Sequence, residues 1–315
     1  MGTPEAALKV AGIERILGER LGQIAVPGFF MVSSYLFFRG FCWEKLIPKW
    51  RSRIRSLVLP YLLWNFLYYI GYVAATRLPG LSGVVGKTPI PFNGTQLFDA
   101  LVCYSYNPVF WYLFQLLLLV VLAPFLYWII CRKWSGLLWL LLLITALWKN
   151  VSLPILNLDA LFYYSAAGYA VLFSEKVEGE NTSSGKKIWF AILILCWLTL
   201  WFLGRPGATL HFTPVHTVLT RLLGVLIFYS ILKEIPFRPA TSTVKNSFFL
   251  YAIHFPWARF FNKAGAVLFK GNQGAAAVFF LTMPFLILGI SKVLGELLKH
   301  TVPGIYEILS GGRGQ

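Results

Sequence analysis

A run of basic residues directly precedes an apolar segment in the first quarter of the chain. Arg51, Arg53 and Arg55 alternate with uncharged residues, and the apolar segment 56–65 follows them. Planar guanidinium groups can hold a phosphate through two hydrogen bonds at once, which would suit a nucleotide-bearing cofactor that enters from this side. The alternative is purely topological, because the positive-inside rule alone places several basic residues at the cytoplasmic end of a membrane span.

A second group of polar residues interrupts an apolar segment late in the chain. His254 and Arg259 lie within the run 245–262, and Tyr251 precedes His254 by one helical turn. Ionisable side chains are costly in hydrocarbon, so we expect them to face the bundle interior or a water-filled cavity. Histidine can accept or donate a proton near neutral pH. The alternative is a structural hydrogen-bonding histidine that packs against Tyr251.

A third candidate is Arg221, which lies within another apolar run and follows His211 and His216. A buried arginine needs an anionic partner, and Asp159 is the clearest candidate because acids are scarce in the apolar runs. A structural ion pair and an anion-binding site both fit this pattern. The four histidines show no metal-ligand clustering, and neither a GxSxG motif nor a phosphate loop is present, so no metal site is predicted.

The elements that must position these residues are long apolar runs. The chain has 315 residues, of which 57% are hydrophobic and 13% charged, and its mean hydropathy of +0.67 excludes a soluble domain. A membrane-spanning helix needs roughly 20 apolar residues. The sequence therefore predicts an all-α polytopic membrane protein with nine spans at 22–40, 55–76, 109–131, 134–151, 157–174, 187–203, 216–233, 245–262 and 276–298.

The remaining segments and the distribution of charge give a predicted topology. Residues 1–21 are predicted to be an amphipathic or interfacial segment, although their apolar stripe fits the outer turn of a longer first span equally well. Residues 22–298 are the predicted membrane domain, and residues 299–315 a cytoplasmic tail. Basic residues are concentrated in alternate loops, including the loop with Arg51, so those loops are predicted to be cytoplasmic. The net charge of +16 is explained by topology and lipid headgroups, and the short basic patches do not favour nucleic-acid binding.

Five segments, in order along the chain, resemble the integral-membrane acyltransferase-3 family, whose members include polysaccharide O-acetyltransferases. Residues 24–37 resemble the family's VPxFFxxSGYL helix, with Ser34 at a position where glycine is common. The other four are the basic segment 53–64, the WYL segment 107–116 that contains Trp111, the SFxxYxxH helix 247–254, and the ending 302–313.

The resemblance implies a ten-helix bundle around a polar cavity, with nine of the helices in this chain. It also implies a bacterial inner-membrane enzyme that transfers an acyl group, commonly acetyl from acyl-CoA, to a hydroxyl of a surface carbohydrate or lipid-linked glycan. Arg51, Arg53 and Arg55 become expected contacts for the CoA phosphates, although their spacing differs from the RxxR pattern of many members. The expected polar-cavity and substrate residues are Trp111, Arg221, Tyr251, His254 and Arg259.

One departure concerns the catalytic base. Family members carry a histidine on a first helix, and this sequence is expected to begin after that helix, so that the chain as given would have little or no activity. His254 matches a different family position and does not inherit the role of base. The alternative function is a non-enzymatic glycan transporter or flippase-like protein, or an inactive partner subunit. The scarcity of acids in the spans argues against proton-coupled transport.

Overall fold

The computed structural model describes residues 12, 18, 21–79, 88–174, 183–204, 213–236, 239, 241–269 and 272–312. Across these residues the chain is helical and contains no β-strand. Most of the predicted N-terminal segment 1–21, together with His211 and Arg313, lies outside the described residues. The predicted all-α class is confirmed.

The helices follow the apolar runs. They are α1 (Ala25–Phe38), α2 (Leu46–Arg53), α3 (Leu59–Ala75), α4 (Gly94–Cys103), α5 (Trp111–Ile130), α6 (Lys133–Trp148), α7 (Leu158–Ser174), α8 (Ser183–Leu203), α9 (Pro214–Glu234), α10 (Ser242–Lys245), α11 (Ser247–Leu268), α12 (Gln273–Thr301) and α13 (Pro303–Leu309). A π-helical segment, Ile54–Val58, joins α2 to α3.

Within the described residues, four helical stretches are long and apolar enough to cross a membrane. They are Trp43–Ala75, Pro108–Ile130, Pro214–Glu234 and Gly274–Thr301, and four shorter apolar helices are Gly22–Phe38, Lys133–Trp148, Leu158–Phe173 and Lys187–Leu203. The predicted run 245–262 is α11, whose polar residues lower its hydropathy. A helix therefore occupies each predicted run, while the count of nine spans stays a prediction.

The chain forms two compact units that interleave in sequence. The first unit comprises Met1–Ile13, Trp50–Leu117 and Pro239–Gln315, and the second comprises Glu14–Lys49 and Leu118–Arg238. Most of the sequence-predicted site residues belong to the first unit. Arg221 and Asp159 belong to the second.

Small residues allow the helices of the second unit to approach closely. The Ser34 hydroxyl on α1 donates a hydrogen bond of 2.6 Å to the Tyr164 carbonyl oxygen on α7. A Cβ atom at Gly168 would lie 2.7 Å from the Phe38 ring, so only glycine fits against α1 at this position. Close packing of this kind is how membrane helices associate without a hydrophobic driving force.

In the first unit, the C-terminal segment packs against the start of α3. The Trp64 indole donates a hydrogen bond of 3.0 Å to the Leu309 carbonyl oxygen. Gly311 follows with a φ of +66°, and a Cβ atom there would lie 2.9 Å from the Ser56 carbonyl oxygen. The family-like ending thus has a structural role, because its glycine permits the left-handed backbone and the close approach.

Candidate functional site

The three arginines lie where α2 passes into α3 through the π-helical segment. Pro60 explains this segment, because a proline has no N–H to donate to the Ser56 carbonyl four residues earlier. One residue earlier, the Leu59 N–H donates to the Ile54 carbonyl, five residues back, where a regular α-helix would use the carbonyl four residues back. Single π-turns of this kind often occur at functional sites.

The arginine side chains are available for an anionic ligand. Arg51 and Arg55 are exposed and Arg53 is half-buried. None of the three makes a hydrogen bond or ion pair with another described residue. Guanidinium groups without a protein partner can bind phosphate bidentately.

Tyr306 fixes the C-terminal segment beside this basic end of α3. Its hydroxyl donates a hydrogen bond of 2.9 Å to the Asn246 side-chain oxygen, and its ring packs 5.8 Å from that of Phe249. Burial raises the pKa of the Tyr306 hydroxyl above its ordinary value, and the nearby Glu296 carboxylate raises it further. The segment that flanks the arginines is therefore held by side-chain contacts as well as by the Trp64 indole.

The distal half of α3 and the middle of α11 line an open groove of about 400 Å³, which we call the α3–α11 groove. Its walls are mostly apolar or aromatic, and two cationic side chains line it on the α11 side. Its lining includes Trp64, Leu67, Tyr68 and Tyr72 from α3 and Arg259, Phe260 and Lys263 from α11.

Pro256 ties α3 to α11 beside this groove. Because proline has no N–H, it leaves the Ala252 carbonyl oxygen without its usual helical donor. The Tyr68 hydroxyl donates to that oxygen at 2.7 Å and satisfies it. A proline inside an apolar helix is tolerated when a neighbouring helix supplies the missing hydrogen bond.

Arg259 lies at the exposed edge of the groove. Its Nη1 donates to the Tyr72 hydroxyl at 3.3 Å, and its guanidinium lies 5.7 Å from the centre of the Phe255 ring. Among the described residues, no carboxylate pairs with it. The charge of Arg259 is therefore uncompensated by an acid in this part of the structure.

Tyr251 and His254 form the predicted polar pair on one face of α11. The His254 Nδ1 lies 2.6 Å from the Tyr251 carbonyl oxygen, and because that oxygen can only accept, Nδ1 donates the hydrogen bond. The Tyr251 hydroxyl donates to the Val109 carbonyl oxygen at 2.5 Å, and its ring stacks on Phe110 at 5.6 Å. These contacts connect α11 to the turn before α5.

The structure does not gather all predicted cavity residues at one place. Trp111, 38% exposed at the start of α5, does not line the groove, and neither do Tyr251 and His254. Only Arg259 among the predicted residues lines it. The tyrosines and the tryptophan that line the groove were not singled out by the sequence, because aromatic residues are common throughout the apolar runs.

Two buried asparagines of the first unit were also missed. Asn65 on α3 is 1% exposed and Asn107 is fully buried, and neither side-chain amide makes a hydrogen bond of ordinary geometry within the described residues. A buried amide without a partner is costly, so such a position calls for an additional polar group. In the sequence each is an amide within or beside an apolar run, which by itself does not distinguish a site residue from a structural one.

Arg221 and Asp159 meet in the second unit, as the sequence predicted. The Arg221 Nη1 lies 3.7 Å from an Asp159 carboxylate oxygen, and Nη2 donates to the Gln23 side-chain oxygen. The two charged side chains are 27% and 34% exposed. His216 is buried, and its Nε2 lies 2.7 Å from the Leu200 carbonyl oxygen, which makes it a structural residue.

No cluster of histidine, cysteine and acidic residues that could hold a metal ion occurs among the described residues.

Comparison with known proteins identifies the family of the chain. The family model described as an acyltransferase domain matches residues 3–291. The succinoglycan biosynthesis protein ExoH of Rhizobium meliloti (strain 1021) is 25% identical over 318 residues, which cover 94% of this chain and 81% of that protein. No solved structure matches the chain. The match over nearly the whole sequence confirms the resemblance, and the chain belongs to the acyltransferase-3 family of membrane proteins.

Proposed function

We propose that this protein transfers an acyl group, most simply acetyl, from acyl-CoA to a hydroxyl of a cell-surface polysaccharide or its lipid-linked precursor. The family match supports acyl transfer, and the name of the ExoH relative supports a polysaccharide acceptor. In this proposal the protein lies in the bacterial inner membrane, with the basic end of α3 and the C-terminal tail on the cytoplasmic side.

The observation that carries the proposal is the row of arginines at one end of α3, which have no partner among the residues that the structure describes. Arg51, Arg53 and Arg55 offer cationic donors for the phosphates of a nucleotide-bearing thioester. The α3 residues that face α11 follow in the same helix, and Tyr68 lies about 20 Å beyond Arg55 at the rise of a helix. A donor bound by its phosphates at the basic end could therefore extend its thioester along α3.

The reaction needs few groups. The acceptor hydroxyl oxygen attacks the thioester carbonyl carbon, the carbon–sulfur bond breaks, and CoA leaves as a thiol that takes up the proton from the hydroxyl. A general base must accept that proton on the way. We assign this role to no residue of the present sequence, and in the proposal His254 remains a hydrogen-bonding residue of α11.

Binding of acetyl-CoA to purified protein tests the proposal. The double variant Arg53→Ala/Arg55→Ala removes two guanidinium groups, and hydrogen bonds to charged groups contribute about 1.5–3 kcal/mol each, so we expect binding to weaken by about 100-fold or more. Arg132→Ala is the matched control, since Arg132 is also an exposed arginine in a loop predicted to be cytoplasmic. It should bind as the wild type does.

Two results would contradict the proposal. One is the absence of acetyl-CoA binding by the wild-type protein, which would favour a non-enzymatic transporter or partner subunit. The other is binding that both variants reduce equally, because a general loss of positive charge would then explain the effect. Transfer of labelled acetyl to glycan in membrane vesicles from an expressing strain would extend the test from binding to chemistry.

A further inference from the structure

We infer that the Asp159–Arg221 pair of the second unit is a saccharide-binding subsite, at which a hydroxyl group of a neutral sugar bridges the carboxylate and the guanidinium. The inference rests on the proposed function, because the sugar belongs to the glycan acceptor. It gives the acceptor contacts on α7 and α9, with residues other than the arginines that bind the donor. The pair then binds substrate in addition to stabilising the fold.

The Asp159 carboxylate has unused capacity to accept hydrogen bonds. A carboxylate offers two oxygens and about four lone-pair positions. The Arg221 Nη1 lies 3.7 Å away, which is beyond hydrogen-bonding distance, and no other residue in the described part of the chain donates to the carboxylate. A partly buried carboxylate without a donor is costly. The site therefore favours a ligand that supplies hydroxyl groups.

Arg221 is held in place by groups other than that carboxylate. Its Nη2 donates to the side-chain oxygen of Gln23, which lies just before α1. The guanidinium also lies beside the hydroxyl of Tyr163, a residue that is 2% exposed and that donates to the Val218 carbonyl oxygen at 3.2 Å. A guanidinium has five N–H donors, so donors remain for a ligand. Because Arg221 is already ordered, binding costs little further side-chain entropy.

The spacing of the pair suits one hydroxyl oxygen. An oxygen about 2.8 Å from both partners closes a triangle on the 3.7 Å between Nη1 and the carboxylate oxygen, donating to Asp159 and accepting from Arg221. Hydrogen bonds to charged groups are stronger than those between neutral groups. The pair has no net charge, and Asp159 repels the carboxylate of a uronic acid. A neutral sugar is therefore the better ligand.

The pair is accessible and lies on the predicted outer side of the membrane. The side chains of Asp159 and Arg221 are 34% and 27% exposed. Asp159 is in the first turn of α7, and Arg221 is about two turns from the start of α9. In the predicted topology, the starts of α1, α7 and α9 lie opposite the cytoplasmic loops. A glycan exported to the cell surface is present on that side.

Binding of labelled oligosaccharides to the full chain in detergent, without an acyl donor, tests the inference. The panel contains neutral hexose oligosaccharides and uronic-acid oligosaccharides of the same length. We expect Asp159→Asn and Arg221→Gln each to weaken binding of the neutral ligands by about 10-fold or more, since each removes a hydrogen bond to a charged group. Glu44→Gln and Arg132→Gln are matched controls at exposed positions elsewhere in the second unit, and they should bind as the wild type does.

Hydrogen exchange of the wild-type protein locates the site without a substitution. A bound neutral oligosaccharide should slow exchange of the amides at the starts of α7 and α9 and leave those of α13 unchanged. Acetyl-CoA binding, measured separately on the same variants, should stay at the wild-type level. If a substitution lowers acetyl-CoA binding as well, it has disturbed the fold, and the wild-type exchange result decides.

Three results would overturn the inference. The first is a wild type that binds acetyl-CoA but none of the neutral oligosaccharides. The second is tighter binding of the uronic-acid oligosaccharides that only Arg221→Gln weakens, since the pair would then be an anion site. The third is a bound glycan that leaves the starts of α7 and α9 unprotected. Conversely, a wild type that binds a neutral oligosaccharide at these helices but no acetyl-CoA would support the subsite and contradict the proposed donor.

Discussion

Gly311 provides a sharp test of how the C-terminal segment is held against α3. Gly311 and Gly312 both have positive φ values, of +66° and +72°, so alanine at either position costs about 1–2 kcal/mol of backbone strain. They differ in their surroundings. A Cβ atom at Gly311 would lie 2.9 Å from the Ser56 carbonyl oxygen, whereas nothing lies within 4 Å of one at Gly312.

The difference between the two alanine variants therefore isolates the contact with Ser56. Overpacking against a fixed backbone atom adds about 1–3 kcal/mol, so Gly311→Ala should destabilise the packed segment by about 2–5 kcal/mol and Gly312→Ala by about 1–2 kcal/mol. Hydrogen exchange of the amides in α13 measures this local free energy directly. Deprotection should be strong in Gly311→Ala and weak in Gly312→Ala.

Equal deprotection in the two variants would refute the reasoning. It would mean that backbone strain alone sets the effect and that the Ser56 carbonyl can move away at little cost. Global thermal unfolding in detergent serves as the control. The free energy that the two substitutions change is that of packing α13 and Gly311 against α3, so they should shift the global transition much less than the local exchange.

Two further predictions concern charged and titratable groups. Asp159→Asn and Arg221→Gln should each lower stability by about 1–3 kcal/mol, between the values for exposed and buried pairs, and the double variant should lose less than the sum. Thermal unfolding of the four proteins in detergent measures this, and additive losses would show that the two side chains do not interact. Because the pKa of Tyr306 is raised in the folded protein, folding favours its neutral hydroxyl. That stabilisation is present below the ordinary tyrosine pKa of about 10 and is lost as the pH rises through the raised value, so Tyr306→Phe should make α13 protection less sensitive to alkaline pH, and an unchanged pH dependence would exclude the assignment.

Hydropathy predicted the helices well because each apolar run has to satisfy its own backbone hydrogen bonds. The points at which one helical stretch breaks into separate helices were harder to predict. The stretch 43–75 reads as one basic segment followed by one span, yet the Pro60 ring inserts a π-helical segment between α2 and α3. Similarly, Ser34 was noted only as a departure from a glycine pattern, and its hydrogen bond to the Tyr164 carbonyl oxygen depends on a helix more than a hundred residues away.

The candidate sites also differ in how far the sequence predicted them. The pairing of Arg221 with Asp159 was predictable because a charge in hydrocarbon demands a counter-charge and few were available. The α3–α11 groove was not, since its walls are aromatic residues whose pattern is the same inside and outside a cavity. Asn65 and Asn107 could be recognised as unusual only once their burial and their lack of ordinary hydrogen bonds were known.

The hydrogen bond between Trp64 and the Leu309 carbonyl also determines how late in biosynthesis the first unit can be completed. The two residues are 245 positions apart, and the first unit is built from segments on both sides of the long stretch 118–238. At a synthesis rate of about 5–20 residues per second, α3 is made about 12–50 s before its C-terminal partner exists. During that interval the indole of Trp64 lacks its native acceptor, so the first unit is completed only after α13 has been made. A premature stop codon before Leu309 would therefore leave the first unit unfinished, and membrane quality-control proteases could recognise it.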